Sequence, residues 1–274
     1  MPIRFSNHKD IPKLRQIMKI VFGDNDLFLD RFFQYKYKNN ALVYEINNEI
    51  VSIAFLLDSL MENKPISYIY GCGTLPQYRG KGFMNEILSY AYQIRNEQNF
   101  VGLCLVPASD SLFHYYRSQG FENYFYRKKT NYLLSDFPNL KGQDLLLKPL
   151  SPNQYFELRN QEFSTPNSLQ WDLKHYELVE KEYVNEKGGF FEVTENQKIV
   201  GIGFFYTHHF KTYISELLTK LTLNQIAKLF FNSLETNDIE IYTPGKEECY
   251  GMIKWNKNAH SDSQNYGYLS FALD

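Results

Sequence analysis

The spacing of apolar residues in the first half of the chain changes repeatedly between helical and extended patterns. Apolar positions three and four residues apart are typical of amphipathic helices, and short apolar or alternating runs are typical of strands. The predicted helices are Lys9–Phe22, Asp26–Tyr37, Phe83–Asn96 and Ser109–Ser118. The predicted strands are Ile3–Phe5, Leu42–Ile46, Ile50–Leu57, Ser67–Thr74 and Val101–Val106. This mixture of helices and strands predicts an α/β (α+β) fold.

The second half of the chain repeats the pattern of the first half. Tyr44–Ile53 and Phe191–Ile202 each have the pattern of a strand, a polar turn and an Ile-Val-x-Ile strand. In both halves a further strand, a helix and a strand ending in proline follow in the same order. In the second half these elements are Thr212–Leu218, Leu223–Leu234 and Ile239–Pro244. Self-similarity of this kind predicts two copies of one α/β unit, with Lys128–Asp144 as the connection.

The balance of charges excludes a strongly basic protein that binds nucleic acid or an anionic membrane through its net charge. Lysine and arginine total 29 and aspartate and glutamate 31, which gives a net charge of −2 at neutral pH. The first residues lack the apolar core of a signal peptide, and no window reaches 18 apolar residues. We therefore expect a cytoplasmic protein that has neither a nucleic-acid partner nor a membrane partner.

The cysteines do not follow the pattern of a metal site or of a disulfide framework. Cys72, Cys104 and Cys249 are an odd number, and none of them lies at C-x-x-C spacing. Neither Cys72 nor Cys104 has a histidine or lysine close by in the sequence that would favour a thiolate. We interpret these two cysteines as small core residues, and we expect no metal ion.

One segment has the composition of an anion-binding turn. Between a predicted strand and a predicted helix, residues 75–82 read Leu-Pro-Gln-Tyr-Arg-Gly-Lys-Gly. Backbone N–H groups at a helix N-terminus are unpaired, and the helix dipole favours an anion there. Gly80 and Gly82 leave room for a phosphate beside the backbone, and Arg79 and Lys81 add positive charge. The spacing matches neither a P-loop nor a Rossmann fingerprint.

This segment resembles motif A of the GCN5-related N-acetyltransferases, the GNAT superfamily, whose pattern is Arg/Gln-x-x-Gly-x-Gly/Ala. Arg79, Gly82 and Met84 occupy the three places, with methionine instead of the last glycine or alanine. A second register starts at Gln77 and uses Gly80 and Gly82. We prefer the first register because the aliphatic residues of the next helix then fall where the family packs them. The methionine variant also resembles multi-domain members of the Eis type.

A second motif follows at the spacing that the family requires. Val106–Ser109 resembles the exit of the family's strand 5, and Tyr116–Phe121 resembles its Tyr-x-x-x-Gly-Phe signature. The two motifs together cover residues 67–122. The order of the predicted elements extends the resemblance over residues 1–135.

The resemblance implies two GNAT-like domains, each a mixed, mostly antiparallel twisted sheet flanked by helices. Residues 1–135 are expected to be the domain with the acetyl-CoA motif, and residues 143–274 a degenerate tandem copy without the phosphate-binding loop. At the position of that loop the second copy contains Leu218–Gln225, which has no glycine. The implied activity is acetyl-CoA-dependent N-acetylation of a primary amine on a small molecule or a peptide.

The resemblance also implies which residues hold acetyl-CoA. In the family, strands 4 and 5 splay apart, the pantetheine arm pairs with the strand-4 backbone, and the pyrophosphate lies on the N–H groups beyond it. The contacts implied for this chain are Cys72, Gly73, Thr74, Arg79, Gly80, Lys81, Gly82, Phe83, Met84 and Asn85. Tyr116 matches the tyrosine that protonates the leaving thiolate in many members. A phenol with a pKa near 10 is suited to that transfer.

The general base is not visible on the predicted strand 4, where many members carry a glutamate. Eis-like enzymes and the tandem N-myristoyltransferases use the C-terminal carboxylate of their own chain, which implies Asp274 here. Deprotonation of the amine by solvent is the alternative. Two other functional hypotheses are non-catalytic binding of acyl-CoA and an aminoacyl-tRNA-dependent transferase of the Fem type, which the slight acidic balance disfavours. The sequence leaves the acceptor and the oligomeric state open.

Overall fold

The computed structural model describes residues 2–140, 144–183, 186–257 and 266–273, and the chain divides into two compact units. Of the described residues, the first unit comprises 2–125, 250–257 and 273, and the second comprises 126–140, 144–183, 186–249 and 266–272. Each unit is a mixed, largely antiparallel sheet with helices packed on it, which confirms the predicted α/β (α+β) class.

The described part of the chain forms thirteen strands and seven α-helices. The strands are β1 (Ile3–Phe5), β2 (Ala41–Ile46), β3 (Glu49–Met61), β4 (Lys64–Thr74), β5 (Gly102–Leu105), β6 (Glu122–Leu133), β7 (Leu145–Pro149), β8 (Leu169–Gln170), β9 (Lys187–Glu195), β10 (Lys198–His208), β11 (Lys211–Thr219), β12 (Asp238–Pro244) and β13 (Glu248–Trp255). The helices are α1 (Ile11–Phe22), α2 (Asp26–Tyr35), α3 (Phe83–Glu97), α4 (Asp110–Ser118), α5 (Pro152–Gln161), α6 (Leu173–Glu182) and α7 (Leu223–Ser233).

Helix α1 forms where the apolar spacing predicts it, because one face is buried and a glycine ends it. Leu14, Ile17 and Met18 are fully buried. Gly23 follows the last turn with φ of 78°, and its N–H donates to the carbonyl oxygen of Lys19. A left-handed glycine in this place is the common C-terminal stop signal of a helix. The position of α1 matters because its last turn lies over strand β4.

The sheet of the first unit has the order β1-β2-β3-β4-β5-β13. Neighbouring strands are antiparallel, except that β4 and β5 run parallel. β13 comes from the last part of the chain and pairs with β5 from Met252–Leu105 to Trp255–Gly102. Met252 and Ile253 are fully buried, so this late strand is part of the core of the first unit.

Different helices cover the two faces of this sheet. On one face Phe32 of α2 packs against Phe55 and Tyr70, with ring centroids 4.9 and 5.1 Å apart. On the other face α3 contributes Ile87 and Leu88 to a separate apolar cluster that also contains residues of α4. Because strand side chains alternate between faces, β3 and β4 are buried on both sides. Their central residues are therefore held rigidly where the candidate site lies.

The sheet of the second unit has the order β7-β9-β10-β11-β12-β6. Here β11 and β12 are the parallel pair, and the other neighbours are antiparallel. Helix α7 packs on one face through Ile226 and Phe230. On the other face Tyr155 of α5 packs on Phe190, with ring centroids 4.5 Å apart. The succession of three strands, a helix and a parallel strand thus occurs in each unit, as β2-β3-β4-α3-β5 and as β9-β10-β11-α7-β12.

The boundary between the units falls inside β6, between Phe125 and Tyr126, and the chain re-enters the first unit at Tyr250 in β13. The sequence predicts successive domains, 1–135 and 143–274. The compact units divide the chain differently because β13 hydrogen-bonds to β5, which brings a late segment into the first unit. The sequence predicts a connection over Lys128–Asp144, but its first residues belong to strand β6, which continues to Leu133.

Candidate active site

The parallel pair β4 and β5 separates along its length. Paired residues are Ser67 with Leu103 and Tyr68 with Cys104, and no later pair is formed among the described residues. From the residue after Tyr68 to the end of β4 at Thr74, the edge of β4 on the β5 side therefore has no partner strand among the described residues. An open strand edge presents backbone N–H and C=O groups to a ligand. This is the splaying that the sequence-based resemblance implies.

A β-bulge in β4 lies beside this open edge. The register with β3 changes between Ile53, opposite Gly73, and Phe55, opposite Tyr70, so β4 has one extra residue. The bulge contains Gly71, whose φ of 62° lies in the left-handed region that favours glycine. Bulges bend a strand and change the direction of side chains. The apolar pattern of the sequence does not reveal this bulge, although an isolated glycine in a strand pattern is its usual signal.

The turn between β4 and α3 exposes a row of backbone donors. Among the described residues, no acceptor pairs with the N–H groups of residues 80–85. Gly80 and Gly82 have φ of 73° and 85°, and a Cβ built on either would have no atom within 4 Å. Arg79 is held beside the turn, because its Nε donates to the carbonyl oxygen of Thr74 at 3.2 Å. The arrangement is an open cradle of N–H groups at the positive end of a helix, which is suited to a phosphate.

The side chains around the cradle are fixed by contacts that leave its backbone free. Phe83 stacks on Tyr44 at 4.5 Å, and Met84 packs against the apolar cluster under α3. Asn85 Oδ1 accepts a hydrogen bond of 2.7 Å from the Tyr115 hydroxyl. The Lys81 ammonium lies 5.2 Å from the ring of Tyr78. The turn before α3 is thus preformed. Its side chains pack or form hydrogen bonds, and its two glycines, Gly80 and Gly82, leave the backbone accessible.

Tyr116 lies on α4 and faces the bulge in β4. It is 7% exposed, and its hydroxyl donates to the thiol of Cys72. Burial, with the adjacent Cys72 as a lesser cause, raises the pKa of Tyr116 far above its usual value. The phenol therefore stays protonated at neutral pH and can act as a proton donor. The fold brings together two residues that the sequence analysis assigned to the same site for separate reasons.

The cysteines occupy the environments of core residues. Cys104 on β5 is fully buried, and burial raises the pKa of its thiol far above the usual range. Burial also raises the pKa of the Cys72 thiol to about 11, although the Tyr116 hydroxyl partly opposes the shift. Both thiols are therefore protonated at neutral pH, which argues against covalent catalysis through either cysteine.

The end of α1 covers the other side of the bulge. A Cβ on Gly73 would lie 3.1 Å from the ring of Phe22 and 3.4 Å from Val21, and one on Gly71 would lie 3.9 Å from Phe22. The Phe22 side chain is nevertheless 44% exposed. An exposed aromatic ring that lies over the backbone of a splayed strand is a suitable wall for a second substrate.

Asp24 follows this turn and is the carboxylate that the sequence analysis missed. Its Oδ2 is shielded from solvent, and no described residue hydrogen-bonds to it or forms an ion pair with it. Burial raises the pKa of Asp24 to about 6. A desolvated carboxylate oxygen without a protein partner is unusual, which makes Asp24 a candidate functional residue. No sequence signal identifies it, because the pattern of a helix end followed by Asp-Asn-Asp is that of an ordinary capping turn.

The predicted base Asp274 lies outside the described residues, but the chain shortly before it is firmly held in the second unit. Ser270 Oγ donates to Glu216 Oε1 at 2.7 Å, and its carbonyl oxygen accepts from Trp171 Nε1 at 2.9 Å. The next residue, Phe271, has its carbonyl oxygen 2.7 Å from His175 Nε2. Up to this point the segment is docked, as its apolar sequence indicates.

The matching turn of the second unit is closed by its own side chains. Thr222 and Gln225 form a reciprocal capping box at the start of α7, in which the Thr222 N–H donates to Gln225 Oε1 at 3.0 Å. The N–H of Leu221 donates to Thr219 Oγ1 at 3.1 Å, and that of Lys220 donates to the carbonyl oxygen of Val200 at 3.0 Å. These bonds engage the N–H groups of residues 220, 221, 222 and 225, whose counterparts at the start of α3 have no acceptor among the described residues.

Two further features of the described chain bear on the chemistry. In that part of the protein, no group of three or more histidine, cysteine, aspartate or glutamate residues is arranged to hold a metal ion. In the same residues no helix is both long enough and apolar enough to cross a membrane.

Comparison with known proteins found a family match within the first unit. Residues 2–124 match the family model described as an acetyltransferase (GNAT) domain. A search of curated proteins found no match.

Solved structures share the fold over nearly the whole chain. A conserved protein of Enterococcus faecalis V583, described as a probable N-acyltransferase, has a TM-score of 0.76 and 13% identity, covering 93% of this chain and 72% of its own. A GCN5-related N-acetyltransferase from Anabaena variabilis has a TM-score of 0.72 and 16% identity, covering 92% and 70%. Eis1 from Mycobacterium abscessus has a TM-score of 0.71 and 10% identity, covering 94% and 74%. At these identities the likeness establishes the fold alone.

The matched segment contains the bulge of β4, the cradle before α3 and the Tyr116–Cys72 contact. These are the elements that carry the two sequence motifs. Residues 2–124 of this protein therefore resemble a GNAT acetyltransferase domain in sequence and in fold.

Proposed function

We propose that this protein is an acetyl-CoA-dependent N-acetyltransferase that moves an acetyl group to a primary amine of a small molecule or a peptide. The observation that carries the proposal is the cradle of unpaired N–H groups at residues 80–85, within a segment that matches a GNAT domain. Such a cradle suits a pyrophosphate and is of little use to the folded protein itself.

The residues present fit coenzyme A. Its pyrophosphate suits the open backbone at Gly80 and Gly82, with Arg79 and Lys81 beside it. Its amide-containing arm suits the edge of β4 at residues 72–74, which has no partner strand among the described residues, since extended amides pair with an open strand edge. When bound, acetyl-CoA would supply the thioester carbonyl that an amine attacks.

In this proposal Tyr116 is the general acid. Its hydroxyl already donates a hydrogen bond to sulfur at the bulge, and burial keeps it protonated at neutral pH. A donor positioned in this way can transfer its proton to a departing thiolate. Cys72 accepts this hydrogen bond from Tyr116. A bound coenzyme A sulfur near Cys72 would compete for the same hydroxyl.

We propose Asp24 as the group that receives the acceptor amine. At neutral pH a carboxyl with a pKa of about 6 is ionised, and without a protein partner it is available to a cationic ammonium. It lies two residues after Phe22, whose ring covers the bulge of β4. The same carboxylate can take the proton that the ammonium must lose before its nitrogen attacks. Asp274 stays a prediction for this role, and the two carboxylates are separate hypotheses.

We also propose that the second unit is a degenerate copy of the first that does not hold coenzyme A. The repeated succession of elements supports common architecture. The capping box of Thr222 and Gln225 supports the loss of the phosphate site, because it occupies the donors that a phosphate would need.

A thermal-shift titration with acetyl-CoA, CoA and ATP tests the cofactor part of this proposal. Gly82→Asp puts a negative charge in the cradle, and Gly23→Asp is the matched control, since Gly23 has a similar φ and equally open surroundings. A ligand at about 100 times its Kd stabilises the folded state by about 2.7 kcal/mol. We expect both CoA forms, but not ATP, to raise the Tm of wild type and of Gly23→Asp, and the shift to disappear in Gly82→Asp.

Release of free thiol from acetyl-CoA with a panel of primary amines then separates an enzyme from a binding protein. Amine-dependent thiol release supports acetyl transfer. A CoA-dependent shift without thiol release from any amine would support the non-catalytic acyl-CoA-binding hypothesis instead. Absence of a shift with either CoA form would contradict both functions.

A further inference from the structure

The second unit contains a cavity at the place where its own parallel strands separate. β11 and β12 pair only from Lys211–Asp238 to Ile214–Ile241, and a cavity of about 450 Å³ opens beyond this pairing. We call it the β11–β12 groove; it is lined by Lys128, Phe163, Ser164, Thr165, Leu217, Leu218, Thr219, Lys220, Leu221, Leu223, Thr243 and Pro244. Its volume is in the range of small-molecule sites in proteins.

The interior of the groove is apolar. Phe163 and Leu218 are buried, and Leu221 and Leu223 are partly buried. They surround a space that the chain itself does not fill. Because removal of apolar ligand surface from water is favourable, this space favours a hydrocarbon body.

The rim of the groove is cationic. Its charged lining residues are Lys128 and Lys220, and no aspartate or glutamate is among the described residues that line it. Lys128 is paired with Glu247 at 3.1 Å. Lys220 is exposed and makes no ion pair with any residue that the structure describes. An anionic head group therefore has an uncommitted partner at the edge of an apolar space.

The nature of the anion follows from the helix end beside the groove. Around the start of α7, the N–H of Leu221 is bonded to Thr219 Oγ1, and the N–H groups of Thr222 and Gln225 are bonded within the capping box. A phosphate, which needs several converging donors, is therefore poorly served here. A carboxylate needs only the point charge of a lysine and nearby hydroxyls, and Thr165 and Thr243 supply hydroxyls in the lining.

We infer that the β11–β12 groove binds a small amphipathic carboxylate, with its hydrocarbon body among the leucines and its carboxylate at Lys220. The site is distinct from the cradle before α3, and the inference does not depend on the proposed function. The groove lies where the parallel strands β11 and β12 separate, and side chains cap the turn that corresponds to the cradle before α3.

Isothermal titration calorimetry with decanoate tests this inference on the full chain. Lys220→Glu reverses the rim charge, and Thr243→Trp fills the groove from a partly exposed strand position. Lys198→Glu is the matched control, because it reverses an exposed lysine of the same unit outside the lining. We expect decanoate to bind wild type and Lys198→Glu with Kd values within twofold, and both groove variants to weaken binding at least tenfold.

Two further titrations test the need for the carboxylate and the separation of the two sites. Decanol, which lacks the charge, is expected to bind at least tenfold more weakly than decanoate. Saturating CoA is expected to leave the Kd for decanoate unchanged, because the two sites are separate. The inference is overturned by no measurable heat with wild type, by groove variants that bind as wild type does, by equal affinity for decanol, or by displacement of decanoate with CoA. Thermal melts of both groove variants establish that they are folded.

Discussion

At the residue scale, the chemistry depends on how burial changes ordinary side chains. Tyr116 and Asp24 are both partly or wholly removed from water, and in each the pKa rises because the charged form is disfavoured. The consequences are opposite. A tyrosine with a raised pKa stays protonated at neutral pH but is a weaker acid than usual, whereas an aspartate with a pKa of about 6 is a stronger base than usual and still ionised at neutral pH.

Replacement of Tyr116 with phenylalanine tests its role as the acid. Without the hydroxyl the thiolate must leave unprotonated, so we expect kcat to fall about 100-fold. The KM for acetyl-CoA should change little, because the proposed binding groups are backbone atoms of β4 and of the cradle. Steady-state kinetics of thiol release checks this split.

Tyr124→Phe is the control for that substitution, since Tyr124 is a buried tyrosine of the same unit whose pKa burial also raises, to about 12. A kcat for Tyr116→Phe equal to that of Tyr124→Phe would rule out the proposed role.

Replacement of Asp24 with asparagine should have opposite effects on stability and activity. The pKa of Asp24 is higher in the folded protein than in the unfolded chain. Its protonated form therefore contributes fully to the free energy of unfolding below about pH 4, and this contribution is lost as the pH rises through about 6. The neutral amide of the Asp24→Asn variant avoids that loss. We therefore expect a Tm about 2 °C higher than wild type at pH 8, and no difference at pH 4, the size being reduced by partial exposure.

The activity of the same variant should fall about 100-fold in kcat/KM, because the amine loses its carboxylate partner. Asp24→Glu is expected to recover part of this loss. Wild-type activity should decrease below about pH 6, where Asp24 becomes protonated. Melts at both pH values and a pH–rate profile provide the measurements, and an unchanged kcat/KM in Asp24→Asn would remove Asp24 from the mechanism.

At the scale of elements, the two units show how one succession of strands and helices can contain two different helix starts. α3 begins after a left-handed glycine and leaves its first donors free, whereas α7 begins with a capping box that uses them. Capping typically stabilises a protein by about 1 kcal/mol. An uncapped helix start therefore has a small stability cost, which is consistent with a site kept for an anion.

The bulge in β4 is the second such element. One extra residue, placed where Gly71 can adopt a positive φ, interrupts the regular pairing with β3 just where β5 turns away. Bulge and splay together position Cys72 toward α4 and leave the glycines under Phe22. An element that looks like an ordinary strand in its apolar pattern thereby has the shape that the proposed function needs for two substrates on opposite faces.

At the scale of the whole molecule, the first unit is not a continuous stretch of chain. β13 supplies the strand beside β5, and Met252 and Ile253 are fully buried there. Without this strand the buried edge of β5, including Leu103 and Leu105, would be exposed. Unpaired apolar edges promote association between molecules.

A fragment of residues 1–135 should therefore fail to form a stable monomer, even though it contains every residue of the cradle. We expect aggregation, or a melt without cooperativity. Residues 248–257 joined to the same fragment through a flexible Gly/Ser linker should restore a monomer that melts cooperatively. Size-exclusion chromatography and circular dichroism make the comparison. A monomeric, cooperatively folded 1–135 fragment would contradict this assignment of β13.

The sequence predicts the locally encoded parts of the site well. Patterns a few residues long predict the helix that starts at Phe83, the turn with Gly80 and Gly82 and the helix that carries Tyr116. The structure contains these two helices and this turn. The bulge at Gly71 is also local, but its signal is a single glycine, which a strand can hold for other reasons.

By itself, then, the sequence determined the fold class and indicated the glycine turn before α3 and the tyrosine that is the acid candidate, because periodicity, glycine placement and short motifs are properties of neighbouring residues. Only the tertiary structure decided that β13 completes the first unit, that Tyr116 reaches Cys72, and that Asp24 Oδ2 has no protein partner among the described residues. These depend on contacts between residues far apart in the chain, where burial and hydrogen bonding are set by packing and leave no pattern in the local sequence.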